Sequence, residues 1–243
     1  MGISMNFNHH IRLGSAMAIP DNSVIRRLAS FEHLALHERE LLWKCCKDAT
    51  TYAPNSLVGT GGESCHFLVS GWVCRQWFRE DGRQQIIDFV LPGDTVLPIR
   101  SPTHSSTISL LTLTSAKLAP ASSVFRAVSD NAARYPGLAK AFATAVALES
   151  QRLLDQLIRL GTLSATERLA DLLDELHRRL EPVNLASQGR FECPLTQSVL
   201  AEALGTSAIH MNRTFKLLER EGKISRDPPW ISLHRPHSSL HGP

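Results

Sequence analysis

The stretch from Leu195 to Glu221 constrains this chain more than any other. Thr196 is placed to cap a first helix, and Val199, Leu200, Ala203 and Leu204 recur at helical spacing along one of its faces. Gly205 supplies the positive φ of a sharp turn, and with the small Ala201 it lets two helices cross closely. Ser207 caps the second helix. On that helix Met211, Thr214, Phe215 and Leu218 share one face, and Ile209, Asn212, Arg213, Lys216 and Arg220 project from the other. A helix that is buried on one side and polar and cationic on the other is what the major groove of DNA accepts.

Two short amphipathic helices around a glycine also occur in all-α domains, so the sequel decides between the readings. After Gly222, Ile224 and then Trp230, Ile231 and Leu233 flank Asp227-Pro228-Pro229, which predicts a small β-hairpin. Two helices followed by a hairpin make a winged helix-turn-helix.

Upstream, the pattern changes twice. From Asp21 to about residue 47, Val24, Leu28, Phe31, Leu34, Leu36, Leu41, Leu42 and Trp43 indicate short helices. Between about residues 53 and 121 the signals are those of strands. Cys65 to Ser70 ends at Gly71, Trp72 to Arg79 turns through Asp81-Gly82-Arg83 into Gln84 to Leu91, and Pro92-Gly93-Asp94 breaks the run. Residues 105 to 119 alternate loosely. Short strands separated by Gly and Pro turns predict an antiparallel jelly-roll, cupin-like barrel.

From Arg134 to Leu160 the period becomes helical. Leu138, Phe142, Ala145 or Val146, Glu149, Leu153, Leu157 and Leu160 recur every three or four residues among alanines, and Gly161 is the expected stop. Such a helix spans roughly 30 Å or more, longer than a small domain needs internally, so its stripe wants a partner of its own kind. Ser164 and Glu167 then fit a capping box, with Leu169, Leu172, Leu173 and Leu176 as the buried face of the helix they open. The whole is an α+β chain: an N-terminal jelly-roll barrel, a long central helix and a C-terminal winged helix-turn-helix.

The motifs Phe191-x-x-Pro194-Leu195-Thr196-Gln197, Leu200-Ala201-x-x-Leu204-Gly205-x-Ser207, His210-Met211-Asn212-Arg213-Thr214 and Leu218-Glu219-Arg220-Glu221-Gly222 resemble the DNA-binding half of the Crp/Fnr family of bacterial transcription regulators. Gly71-Trp72, Asp81-Gly82-Arg83 and Pro92-Gly93-Asp94 resemble the cyclic-nucleotide-binding-like barrel of the same family. The resemblance implies a sensor barrel over 1–132, a dimerisation helix over 133–161 and a DNA-binding domain over 162–243. It also implies a homodimer on an inverted repeat in double-stranded DNA, RNA polymerase as a further partner, and a barrel that takes an unidentified small-molecule effector or none.

Chemistry assigns roles within the second helix. Arg213 suits bidentate contact with guanine O6 and N7, Asn212 suits adenine, and Ile209 a thymine methyl. Thr196, Gln197, Ser207, His210 and Lys216 are placed for phosphates. Many family members carry an arginine and a glutamate early in this helix, where Ala208 and Ile209 stand in this chain. A different half-site is therefore expected.

Several ligands are not expected. Family members that bind cyclic nucleotides use a glutamate for the ribose, and an arginine with small followers for the phosphate, just after the Pro-Gly-Asp turn. Thr95 to His104 contain no carboxylate, and Arg100 lies between prolines without those followers, so cyclic AMP is not expected by the usual contacts. No cysteine set near the start suits an iron–sulfur cluster, and His66 or His104 as a haem ligand is weaker than a surface role. His234, His237 and His241 are expected to be tail residues rather than a metal site. Neither cofactor nor metal is therefore expected.

The competing reading is a small-molecule-binding barrel protein or barrel enzyme whose C-terminal module docks a partner. The barrel lacks the His-x-His pairs of metal enzymes, and Asn212, Arg213 and Lys216 are too polar for a docking face, so no enzyme is expected. The net charge of +3 names no partner by itself, and any basic surface must be local. The sequence contains no apolar run of membrane-spanning length and no signal core in its first ten residues, so a cytoplasmic protein without a membrane partner is expected. Five unpatterned cysteines fit a reducing compartment, as buried, inert thiols.

Overall fold

The computed structural model describes residues 19–58, 65–97 and 106–234. Two helices open it, α1 (Ser23–Phe31) and α2 (Leu36–Lys47). Asn22 caps the first, its side-chain oxygen accepting from the Ile25 amide at 3.0 Å.

Eight strands follow: β1 (Thr50–Tyr52), β2 (Leu57–Val58), β3 (His66–Ser70), β4 (Val73–Arg79), β5 (Gln84–Val90), β6 (Thr95–Val96), β7 (Ser106–Thr112) and β8 (Ala116–Pro120). They form two four-stranded antiparallel sheets, ordered β1-β8-β3-β6 and β2-β7-β4-β5. Val58, Leu68, Val73, Val90, Val96, Ala116 and Leu118 pack between them as an apolar cluster. The expected jelly roll is thus present. Gly93, in the expected strand break, has φ +93°, and a Cβ there would stand 2.6 Å from the Ser23 carbonyl, so this turn is also where α1 meets the barrel.

A helix that sequence periodicity missed, α3 (Ser122–Asp130), leads to the long helix α4 (Pro136–Thr162). At 27 residues α4 is about 40 Å long. Its first turns are buried: Leu138, Ala141 and Phe142 pack with α1, α2 and the rings of Phe67 and Phe125. Further along, Leu154, Leu157 and Ile158 are 54%, 68% and 56% exposed. The expected stop at Gly161 is not observed. The helix runs through it to Thr162, because a lone glycine only weakens a helix, and the chain turns where Ser164 begins the next cap. Glu149 departs from the expected stripe as well: its carboxylate pairs with Arg75 of β4, which also bonds Asp88 of β5 at 2.9 Å.

Helix α5 (Ala165–Leu180) has the predicted capping box, with Ser164 N donating to Glu167 Oε2 at 2.8 Å and Glu167 N to Ser164 Oγ at 3.4 Å. A short 3-10 turn over Glu181–Val183 follows, then β9 (Ala186–Ser187), β10 (Arg190–Glu192), α6 (Gln197–Ala203), α7 (Ala208–Arg220), β11 (Ile224–Asp227) and β12 (Trp230–Leu233). The hairpin is the expected one, but it belongs to a four-stranded sheet, β11-β12-β10-β9, in which Phe191 faces Ile231. Two of its strands, β9 and β10, precede the helix pair. A core cluster joins this module to the barrel through Trp72, Ile86 and Phe89 on one side and Leu173, Phe191, Leu204 and Met211 on the other. Among the described residues no helix is long and apolar enough to cross a membrane.

Candidate nucleic-acid interface

Local chemistry builds the candidate surface. Thr196 caps α6, its hydroxyl accepting from Val199 N at 3.2 Å, and Ser207 caps α7 by accepting from His210 N at 3.2 Å. Both hydroxyls keep a proton to donate outward. Between the helices Gly205 takes φ +62°, and the Thr206 amide bonds back to the Ala201 carbonyl at 2.9 Å. The glycine serves the turn alone. A Cβ on it would meet nothing closer than Leu160 Cδ2 at 3.7 Å, so it does not let the two helices cross closely as expected; buried Ala201 remains as the small side chain between them.

Helix α7 divides as its periodicity predicts. Met211, Thr214, Phe215 and Leu218 are buried, and Thr214 returns its hydroxyl to the His210 carbonyl at 3.0 Å. Ile209, His210, Asn212, Arg213, Lys216 and Arg220 are exposed, with Ile209 at 72%. Thr196 and Ser207 are exposed too, and Gln197 is half-buried. Every residue proposed from sequence to meet DNA therefore lies on one helix pair, and Ile209, Asn212, Arg213, Lys216 and Arg220 line one side of α7.

Sequence periodicity missed the brace behind this surface. Arg226 of β11 donates to both carboxylate oxygens of Glu219, Nε at 2.7 Å and Nη2 at 3.0 Å, and its guanidinium lies 4.3 Å over the Phe215 ring. This welds the wing to α7, and the Arg226 hydrogen bond lowers the Glu219 carboxyl from its ordinary value. In the wing, Arg190 stacks on Trp230 at 4.8 Å. The only sequence sign of the brace was an arginine in a strand opposite a glutamate late in a helix, and periodicity does not pair them.

Two of the residues considered as ligands from sequence lie among the described residues. His66 lies on β3, His234 bonds Ser225 Oγ at 3.0 Å, and Arg100, His104, His237 and His241 lie outside the described residues, as does the N-terminal segment 1–18. Among the described residues no group of three His, Cys, Asp or Glu side chains is placed to hold a metal ion.

Residues 167–238 match the Crp-like helix-turn-helix domain. The nitrogen fixation regulation protein FixK of Azorhizobium caulinodans is 31% identical over 182 residues, which are 73% of this chain and 70% of that protein. The chain belongs to the Crp/Fnr family of transcription regulators. A second relative, FixK of Bradyrhizobium diazoefficiens, is 30% identical over 159 residues and 64% of each chain. The structure of FixK2 from Bradyrhizobium japonicum superposes with a TM-score of 0.62 at 25% identity, covering 77% of this chain and 93% of that one. This Crp/Fnr protein is a DNA-binding transcription regulator and not an enzyme. Barrel, long helix and winged module are its family's architecture.

Proposed function

We propose that this regulator acts in the cytoplasm as a homodimer on an inverted repeat, reading each half-site with α7. The observation that carries the reading is the exposed polar and cationic side of α7, held outward by buried Met211, Phe215 and Leu218. Arg213 takes guanine, Asn212 adenine and Ile209 a thymine methyl. Thr196, Gln197, Ser207, His210 and Lys216 hold phosphates. The functional units are the barrel with its N-terminal helices (1–132), the dimer helix (133–161) and the DNA-binding domain (162–243).

The dimer is supported by Leu154, Leu157 and Ile158, an apolar stripe at helical spacing exposed on a helix longer than its own domain requires. Pairing two such stripes about a two-fold axis places the recognition helices about 34 Å apart, one turn of DNA. The barrel is where a small-molecule effector would act, and RNA polymerase is the further partner this reading implies.

Selection of bound duplexes from a random pool by the purified protein, at near-physiological salt, tests the proposal. An enriched inverted repeat with half-sites one turn apart is expected. Enrichment of a single asymmetric site, or none by an intact dimer, overturns it.

A further inference from the structure

Five side chains that no base or phosphate role explains converge on the end of α6. The last carbonyls of any helix lack partners within it. In this protein Gln85 of β5 donates to the Glu202 carbonyl at 2.6 Å, Gln156 of α4 to the Ala203 carbonyl at 2.8 Å, and Arg168 of α5 to the Leu204 carbonyl at 3.1 Å. The Glu202 carboxylate is gripped as well, by Gln76 of β4 at 2.5 Å and Gln84 of β5 at 3.3 Å. Gln76 is only 4% exposed, so little water competes for that bond. Ile86 and Phe89 pack in the same cluster as Leu200, Ala203 and Leu204, which adds apolar contact to the polar grip.

This end of α6 passes directly into the reading helix. Thr206 bonds back to Ala201 and Ser207 caps α7, so α6 and α7 move as one body. Whatever sets the tilt of α6 sets the tilt of α7. The gripped arrangement leaves the reading side of α7 open to solvent, as a binding-competent arrangement requires.

We propose that Glu202 and the barrel glutamines Gln76, Gln84 and Gln85 are positioning residues for DNA binding, which fix α7 relative to α4 and thereby the distance between the two recognition helices of the dimer. The proposal rests on α7 as the reading helix and on the two-fold dimer. None of the four touches DNA. They act on the register of the two heads, and so on the avidity gained when both half-sites are held at once.

The test compares wild type with the Gln76→Ala/Gln85→Ala protein on three duplexes: the selected inverted repeat, an isolated half-site, and the repeat with its half-site spacing altered by about two base pairs. The variant should bind the repeat about tenfold more weakly, bind the half-site as wild type does, and discriminate less against the altered spacing. Glu202→Ala, which removes the carboxylate held by Gln76 and Gln84 and leaves the barrel intact, should show the same pattern. Unchanged or tighter binding to the repeat overturns the proposal. Equal losses on half-site and repeat also overturn it, because they place the effect in the stability of the module. A wild-type protein that selects no repeat overturns the DNA reading itself, and it does so before any variant is made.

Discussion

Arg179 Nη2 donates to the Asp94 carboxylate at 2.5 Å, tying the last turn of α5 to the turn that ends β5. The same guanidinium reaches the Phe89 carbonyl at 2.7 Å and Glu175 at 2.9 Å. Arg27 of α1 lies on the other oxygen of Asp94, with Nε at 3.6 Å, and also bonds the Arg179 carbonyl. Asp94 therefore gathers the N-terminal helices, the barrel and the stem of the DNA-binding module around one buried charge. Burial alone would raise its carboxyl pKa. Arg179, then Arg27 and Arg152, outweigh burial and hold it well below the usual carboxylate range.

Asp94→Asn should cost about 3–5 kcal/mol, because it leaves buried arginines without their counter-charge. Because the folded-state value is depressed, the stability Asp94 contributes is present above its unfolded value of about 3.9 and is lost as the pH falls below that value. Urea denaturation at pH 7 should show the full deficit of the variant. At pH 3 the gap between variant and wild type should be smaller, and a gap that does not change with pH would refute the assignment.

Replacing Arg213 by alanine should weaken binding to the selected site by about 1–3 kcal/mol and relax one base position. Lys216→Ala should weaken all sequences alike and lower the salt dependence by about one phosphate contact. Binding titrations on selected and random duplexes at two salt concentrations separate the two. Equal losses on both DNAs for both variants would rule out the assignment of Arg213 to a base and Lys216 to a phosphate.

Leu157, 68% exposed on α4, is the test of the dimer. Leu157→Glu places a charge in the proposed seam and little else, so the variant should sediment as a folded monomer and lose the inverted repeat while keeping weak half-site binding. A variant that stays dimeric would move the interface elsewhere.

The cysteines should differ in reactivity. Burial pushes Cys74 up to about 12 and Cys193 up to about 11, whereas half-buried Cys45 is lowered by its neighbour Cys46. The expectation of buried thiols therefore fails at Cys45 and Cys65, both only half-buried. Brief treatment with iodoacetamide near pH 7.5, read by peptide mass spectrometry, should label Cys45 ahead of Cys74 and Cys193. Labelling of Cys74 at the same rate would contradict this order.

The helix-turn-helix was legible in the sequence because its caps, its turn and the two sides of α7 are local. Thr196, Ser207 and the Ser164–Glu167 box each bond an amide three residues away, and Gly205 answers a backbone angle at its own position. The buried and open sides of α7 follow from a period of 3.6 residues. What holds the helix pair in place was decided only by the tertiary structure. Arg179 and Asp94 lie 85 residues apart, Gln85 and Glu202 117 apart, and Glu149 occupies an apolar period yet answers Arg75 across the barrel wall. Periodicity and capping register neighbours along one helix or strand. A buried charge or amide finds its partner only once the elements have packed, because until then water satisfies it equally well.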